Sequence, residues 1–245
     1  MNDLKTRKKI EASHTDECFK NGLAKSFQAG EFHDYFRELP FFRVRDMVNR
    51  AGIDLTGRSL LIAGCGSGID VFYLKKHFAA EYFVTDISQN AVNAVLSIFP
   101  GIQGQVEDTE AMSFSDNSFD YAFTAASLHH LPRPPVGLYE MLRVARKGVI
   151  VIEPNDSLLC RIATRFGLAT EIEESGNYVF RFSSRDIEKY TRSLFLKFTA
   201  QRFFATHRVA SGRLEFIILK LLNRLSNLCF PSQGNYIVFM IEKDQ

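Results

Sequence analysis

Short apolar runs alternate with longer stretches of periodic polar and apolar residues along the middle of this chain, and that alternation predicts its architecture. Residues 59–63 (SLLIA) form an apolar run that ends in glycines, the look of a buried parallel strand. Residues 69–78 (IDVFYLKKHF) read as a helix, 82–86 (YFVTD) as a strand and 88–99 as a helix. Ser88 supplies the expected N-cap of that helix, and Pro100-Gly101 ends it. A weaker strand follows at 102–108, then a strand at 119–126, a helix at 135–145 and a β-branched strand at 148–155. Strands separated by helices of this kind predict an α/β fold built on a doubly wound parallel sheet.

The two ends are patterned differently. Residues 1–30 are polar and weakly periodic, which predicts a mobile or loosely helical start. Residues 31–52 mix aromatic and charged side chains and predict one or two helices broken near Pro40. In the last third, 156–168 and 183–195 read as helices, the second with a serine N-cap. Residues 195–205 and 235–243 read as long strands, with an apolar helix, 212–229, between them. The resulting division is an N-terminal helical cap (1–55), a core (56–155) and a C-terminal part (156–245) that completes the sheet and caps the substrate, all within one domain.

The sharpest local feature is Gly64-Cys65-Gly66-Ser67-Gly68, placed between a strand and a helix. Glycines there let a ligand approach the backbone closely, and the helix beyond presents oriented N–H donors. The dinucleotide pattern GxGxxG would need glycine at 69 or 71, where Ile69 and Val71 stand, and no Walker lysine follows. The second strand ends at Asp86, where a carboxylate reaches ribose hydroxyls. The third ends in Glu107-Asp108, either of which can accept from an adenine amino group. None of these three strand tips offers a positive charge. That suits a ligand with ribose, adenine and a net cation better than it suits pyrophosphate.

The segments LLIAGCGSG, VTDIS and VEDTEAMSFSDNSFDYAFTAASLHHLP together resemble the class I S-adenosylmethionine-dependent methyltransferases. The match is to their type 11 small-molecule group, which includes quinone-type enzymes, and it covers roughly residues 56–155. The resemblance implies a Rossmann-like seven-stranded sheet, mostly parallel with an antiparallel last strand and helices on both faces. S-adenosylmethionine (SAM) would lie across the strand tips. By position, the loop of Gly64, Cys65, Gly66 and Gly68 would surround the methionine part, with Asp86 at the ribose and Ile87 beside the adenine. Asp108 and Thr109 would flank the adenine amino group, and the backbone near Ala125 would close the site. The family usually carries an acid two residues before the first glycine; Ile62 stands there instead. The expected activity is methyl transfer to O, N or C of a small molecule, in secondary-metabolite, quinone or polysaccharide and lipid biosynthesis. Ile62 motivates the alternative of a non-catalytic SAM-binding regulatory module.

His129 and His130 follow the fourth strand and are the candidate general bases, against the simpler role of a structural corner. Glu153 ends the fifth strand on the same edge. Substrate-cap candidates are the aromatic stretch Phe32 to Phe42 and the segment Glu171 to Arg185, with Tyr178, Arg181 and Arg185 offered to an anionic or aromatic acceptor.

Composition narrows the partners. The net charge of +2 argues against a nucleic-acid partner. So does the lack of an Asn/Asp-Pro-Pro-aromatic motif or a Pro-Cys nucleophile. The charge is uneven: residues 51–155 carry 7 basic and 11 acidic side chains, residues 156–245 carry 13 and 9. Basic flanks around an acidic centre suit a negatively charged acceptor. The four cysteines are scattered, so neither a metal site nor a disulfide framework is read, and the polar N-terminus lacks a signal-peptide core. The expectation is a cytoplasmic protein. The apolar helix 212–229 is expected to pack or self-associate into an oligomer, with contact to a membrane surface as the lesser alternative.

Overall fold

Seven strands make one sheet in the order β3-β2-β1-β4-β5-β7-β6, in the computed structural model, which describes residues 4–19, 31–173, 176–206 and 210–243. The strands are β1 (Ser59–Ala63), β2 (Glu81–Asp86), β3 (Gln103–Val106), β4 (Phe119–Ala125), β5 (Ala145–Pro154), β6 (Lys197–Phe203) and β7 (Tyr236–Glu242). The first five pair in parallel, and β7 runs antiparallel to both β5 and β6. The helices are α1 (Leu4–Phe19), α2 (Glu31–Arg50), α3 (Ile69–His77), α4 (Gln89–Ile98), α5 (Pro134–Val144), α6 (Leu158–Arg165), α7 (Ser184–Ser193) and α8 (Arg213–Cys229).

The two faces of the sheet explain the continuous apolar runs. Alternate side chains of a strand point to opposite faces. Leu60 and Ile62 of β1 join Tyr121, Phe123, Ile150 and Ile152 on one face, covered by Val44 and Met47 of α2, Val71 of α3 and Val92 of α4. Leu61 and Ala63 join Ala122, Val149 and Val151 on the other, covered by Leu138 and Met141 of α5. A strand buried on both sides has no polar face to show, which is why 60–63 of β1, 121–123 of β4 and 149–152 of β5 are apolar at consecutive positions.

Local signals hold where they are chemically specific. Ser88 caps α4, its hydroxyl accepting the Ala91 N–H at 3.1 Å. Ser183 occupies the N-cap position of α7 but its side chain makes no capping bond. Pro40 does not break the N-terminal segment: α2 runs through it as a single helix. A proline inside a helix removes one backbone bond and costs roughly 3 kcal/mol. Buried Phe41, Val44, Met47 and Val48, just beyond it, fix the helix against the sheet and offset that cost. The polar start is likewise a definite helix, α1, seated against α4 through Asp16, whose carboxylate accepts from the Ser88 hydroxyl and the Asn90 N–H.

Candidate active site

The site lies at the carboxyl ends of β1, β2 and β4, and the glycine loop is its centre. Gly64, Gly66 and Gly68 all take positive φ (71°, 43° and 74°), which folds the chain from β1 into α3 in five residues. Backbone bonds hold the turn: the Cys65 N–H donates to the Thr85 carbonyl at 2.9 Å and the Gly68 N–H to the Cys65 carbonyl at 2.7 Å. Asp86 ties the loop to the next crossover, one carboxylate oxygen accepting the Gly66 N–H and the other the Ser88 N–H, both at 2.9 Å. Burial pushes the Asp86 carboxyl above its ordinary range, and those two N–H donors oppose the shift.

Gly64 cannot carry a side chain. A Cβ there would lie 2.7 Å from the Ser127 Cβ and closer still to its hydroxyl, on a backbone of positive φ. At Gly66 nothing lies within 4 Å of the added Cβ. Gly64→Ala is therefore expected to cost more than about 2 kcal/mol from combined strain and overlap. At this chain length that lowers Tm by at least roughly 4 °C. Gly66→Ala should cost only the backbone strain, roughly 1–2 kcal/mol. Thermal unfolding of the two variants side by side checks the difference.

Two cavities meet at the loop. The first, about 310 Å³, is lined by Gly64, Gly66, Asp86, Ile87, Asp108, Thr109, Ala126, Ser127, His130 and Leu131, and α1 covers it with Lys8, Glu11, His14, Thr15 and Cys18. The second, about 300 Å³, is lined by Gly64, Cys65, Gly66, Ser67, Asp70, Ala125 and Ile152, with Phe36, Arg37 and Phe41 of α2, Ala205 and Tyr236 closing it. The residues expected around a cofactor thus come together, most of them on the first cavity and Cys65 and Ala125 on the second. Gly68 sits at the start of α3 and packs against Val95 and Phe99 instead of lining either cavity. Of the two acids ending β3, Asp108 lines the first cavity. Glu107 is turned aside, accepting from the Ser113 N–H at 3.0 Å and from Gln105 at 2.6 Å.

The histidines separate. His130 lines the first cavity, and burial together with the neighbouring His129 lowers its pKa. His129 lines neither cavity: its Nδ1 lies 2.6 Å from Glu153 Oε2 and its Nε2 lies 3.8 Å from Glu173. Burial alone would lower the His129 pKa, but the carboxylates of Glu153, Glu173 and Glu11, Glu153 foremost, together outweigh it, so the ring is held above its ordinary value. The other Glu153 oxygen accepts the N–H groups of Ser127 and Leu128, at 3.0 and 2.7 Å. Glu153 therefore fixes the corner after β4.

Three contributions are not visible in the sequence. Lys8 of α1 reaches across to Asp108 at 2.5 Å and Glu110 at 2.8 Å. Asp70, in the first turn of α3, is 8% exposed and accepts no hydrogen bond from any described residue. Burial, reinforced by the Glu153 charge, pushes its carboxyl up to about 8. Arg37 brings the cation to the second cavity. Conversely, Tyr178 and Arg181, expected at the acceptor, line a separate depression with Asp156, Arg161 and Glu171. The guanidinium of Arg181 is bound to the Thr170 carbonyl. Glu171 to Arg185 meets the site through Glu173 and through Asn177, which donates to the His130 carbonyl at 3.0 Å. The side chain of Phe32 lies outside the described residues, whereas Phe36 and Phe41 line the second cavity.

Known proteins resemble parts of this chain in sequence and the whole of it in fold. Residues 61–152 match the family described as "Methyltransferase domain". Over 98 residues the chain is 33% identical to a "Probable phthiotriol/phenolphthiotriol dimycocerosates methyltransferase 2" of Mycobacterium ulcerans, covering 39% of this chain and 38% of that one. Over 128 residues it is 30% identical to a mitochondrial arginine-hydroxylase of Homo sapiens, covering 51% and 36%. The chain therefore spans less than two-fifths of the length of these curated relatives. In fold it superposes on a magnesium protoporphyrin IX methyltransferase of Synechocystis PCC 6803 with a TM-score of 0.67 at 13% identity, over 97% of this chain and 100% of that one. The matched motif core, residues 61–152, thus resembles a methyltransferase domain, and the sheet that carries it has the fold of the magnesium protoporphyrin IX methyltransferase.

Proposed function

We propose that this protein is a SAM-dependent methyltransferase acting on a small-molecule acceptor. The observation that carries the reading is the pair of cavities meeting at Gly64 and Gly66, one bordered by Asp86, Ile87, Asp108 and Thr109, the other by Phe36, Phe41 and Tyr236. The first offers carboxylates and an apolar side chain, the hydrogen-bond acceptors and packing surface that ribose hydroxyls and an adenine ring require. The second sets Phe36, Phe41 and Tyr236 among aliphatic side chains such as Ile69 and Ile152, and offers the acceptor an apolar seat beside the same glycines.

The same residues also fit the cofactor's charge. Asp86 and the Lys8-paired Asp108 border the first cavity and Asp70 the second, where a bound cation would favour the Asp70 carboxylate. Asp86 accepts from the ribose hydroxyls, Ile87 packs on the adenine, and Asp108 with Thr109 receives its amino group. Gly64, Cys65, Gly66 and Gly68 form the turn for the methionine part, with the backbone at Ala125 opposite. Asp70 receives the ammonium that the missing acid at Ile62 would otherwise hold. SAM, when bound, supplies an activated methyl group on a sulfonium. The chain's task is then to align the acceptor and exclude water, which is the larger part of the rate in such a transfer. His130, on the donor side, and His129, held by Glu153, serve the shape of the site more directly than proton transfer.

A relative described as an arginine-hydroxylase, together with Ile62, supports a second reading: a SAM-binding domain whose chemistry or role is not methyl transfer. Calorimetry with SAM, S-adenosylhomocysteine and NAD tests the cofactor. Binding of the first two without NAD is expected; binding of NAD alone overturns the assignment. Incubation with methyl-labelled SAM and quinone, phenol and amine acceptors then separates the two readings. Label in product supports transfer, and binding without any label in product supports the second.

A further inference from the structure

Helix α8 is inside out. A helix on a protein surface turns its apolar stripe to the core and its polar face to water. In α8 the anchoring contacts include polar side chains. The Asn227 side chain accepts the Phe204 N–H at 2.9 Å and donates to the Phe204 carbonyl at 3.1 Å. The Lys220 ammonium lies over the Tyr35 ring at 4.5 Å. Phe216 adds edge contacts to Tyr35 and Phe36. No residue of the helix is fully buried. The opposite arc carries Leu214 (73% exposed), Ile218, Leu221, Leu225 and Leu228 (76% exposed), recurring at helical spacing. A continuous apolar stripe of this kind on a surface is a contact face.

We propose that this face docks the protein on an anionic lipid surface, with α8 lying in the plane of the headgroups. Charge selects that occupant. Arg213 and Arg224 on α8 are exposed, while Lys220 is held over the Tyr35 ring. Its one acid, Glu215, is bonded to the Ser211 N–H at 2.8 Å and to the Ser211 hydroxyl. Cations beside an apolar arc are the chemistry that holds an amphipathic helix on anionic headgroups. No described helix is long and apolar enough to cross a membrane, so the contact is with the surface. A second element extends the face. Exposed Leu158, Leu159 and Ile162 on α6 are accompanied by Arg161 and Arg165. The start of α6 is tied to the turn after α8, the Leu159 N–H donating to Gln233 at 3.3 Å and the Ser157 hydroxyl to the Gln233 carbonyl at 3.1 Å.

The location bears on the acceptor. The second cavity is lined by Phe36, which touches Phe216 of α8, and by Ala205 and Tyr236, in the segments that precede and follow α8. Docking would bring the acceptor cavity to the lipid boundary, so the acceptor is a molecule with an apolar tail held in the bilayer. That last step rests on the proposed methyl transfer; the docking itself does not.

Flotation of the full chain with phosphatidylglycerol-containing vesicles, and with pure phosphatidylcholine vesicles, tests it. The protein is expected to float with the anionic vesicles and to be released by high salt. The double variant Leu221→Ser, Leu225→Ser, and separately Arg213→Glu with Arg224→Glu, should each reduce the floated fraction at least tenfold. All four side chains are exposed, so thermal unfolding should be unchanged and confirms that the variants fold. Protein that stays in the soluble fraction with every vesicle overturns the proposal. So does a dimer in light scattering that the leucine variant dissociates, because a second copy would then cover the face. Calorimetry with SAM on the same preparation is independent: its failure would remove the methyltransferase reading and leave lipid docking standing, and the reverse also holds.

Discussion

Replacement of Asp86 by Ala is expected to weaken SAM binding by roughly 10- to 150-fold. A hydrogen bond to a charged group is worth about 1.5–3 kcal/mol, and each 1.4 kcal/mol is a factor of ten in affinity. Asp86 has two tasks in the site. One, under the proposed function, is the acceptance of ribose hydroxyls at the tip of β2. The other is visible without any ligand: its oxygens hold the Gly66 and Ser88 N–H groups. Alanine removes both, so the loop loses its tether when the ligand loses its partner. Asp86→Asn keeps the volume and one acceptor oxygen, and should fall between wild type and alanine. Calorimetric titration measures all three. An alanine variant with wild-type affinity would show that the carboxylate serves only the turn, and would remove the ribose role.

The parts of the site that were legible are those whose chemistry is local. A strand, a glycine turn and a helix follow one another within a few residues, so Gly64 to Gly68 declare themselves in order. Asp86 is legible because its place at the end of β2 is set by the same short pattern. Its second role, tying down Gly66 from 20 residues away, is not. Lys8 was hidden for the same reason at greater range. Nothing in the polar pattern of α1 says that it meets Asp108, 100 residues later. Pro40 misled because helix-breaking is a local cost, while the burial of Phe41 and Val44 that outweighs it is a tertiary gain. Helix α8 was legible as an apolar helix, but which arc faces outward depends on Asn227 and Lys220 finding partners at Phe204, just after β6, and at Tyr35 of α2. Tyr178 and Arg181 had the right chemistry for an acceptor, and the chain carries them elsewhere.

Asp70 shows what sequence alone conceals, because an acid in the first turn of a helix ordinarily reads as a partner of the helix dipole. Asp70→Asn is expected to stabilise the cofactor-free protein while weakening its hold on SAM. Glu153 of β5 and Cys65 of the loop interact electrostatically with Asp70, and Arg37 of α2 and Tyr236 of β7 line the same cavity. Burial and the Glu153 charge raise its carboxyl to about 8, against roughly 3.9 in an unfolded chain. Between those values the folded protein holds a proton that the unfolded chain has lost. The stability that the group contributes is therefore complete below about pH 4 and is lost as pH rises through about 8. Asparagine has no such titration. The variant's advantage should be absent near pH 4 and grow to roughly 2–5 kcal/mol above pH 8, read from denaturant unfolding across that range. Binding reverses the balance. An ammonium beside Asp70 favours the carboxylate, so SAM binding to the wild type releases a proton and tightens as pH rises towards 8. Calorimetry in two buffers of different ionisation enthalpy counts that proton. In Asp70→Asn the release should vanish and affinity should fall by about tenfold or more at pH 8, the loss of one charge-assisted contact. Equal affinity and equal proton release in the two proteins would place the ammonium elsewhere.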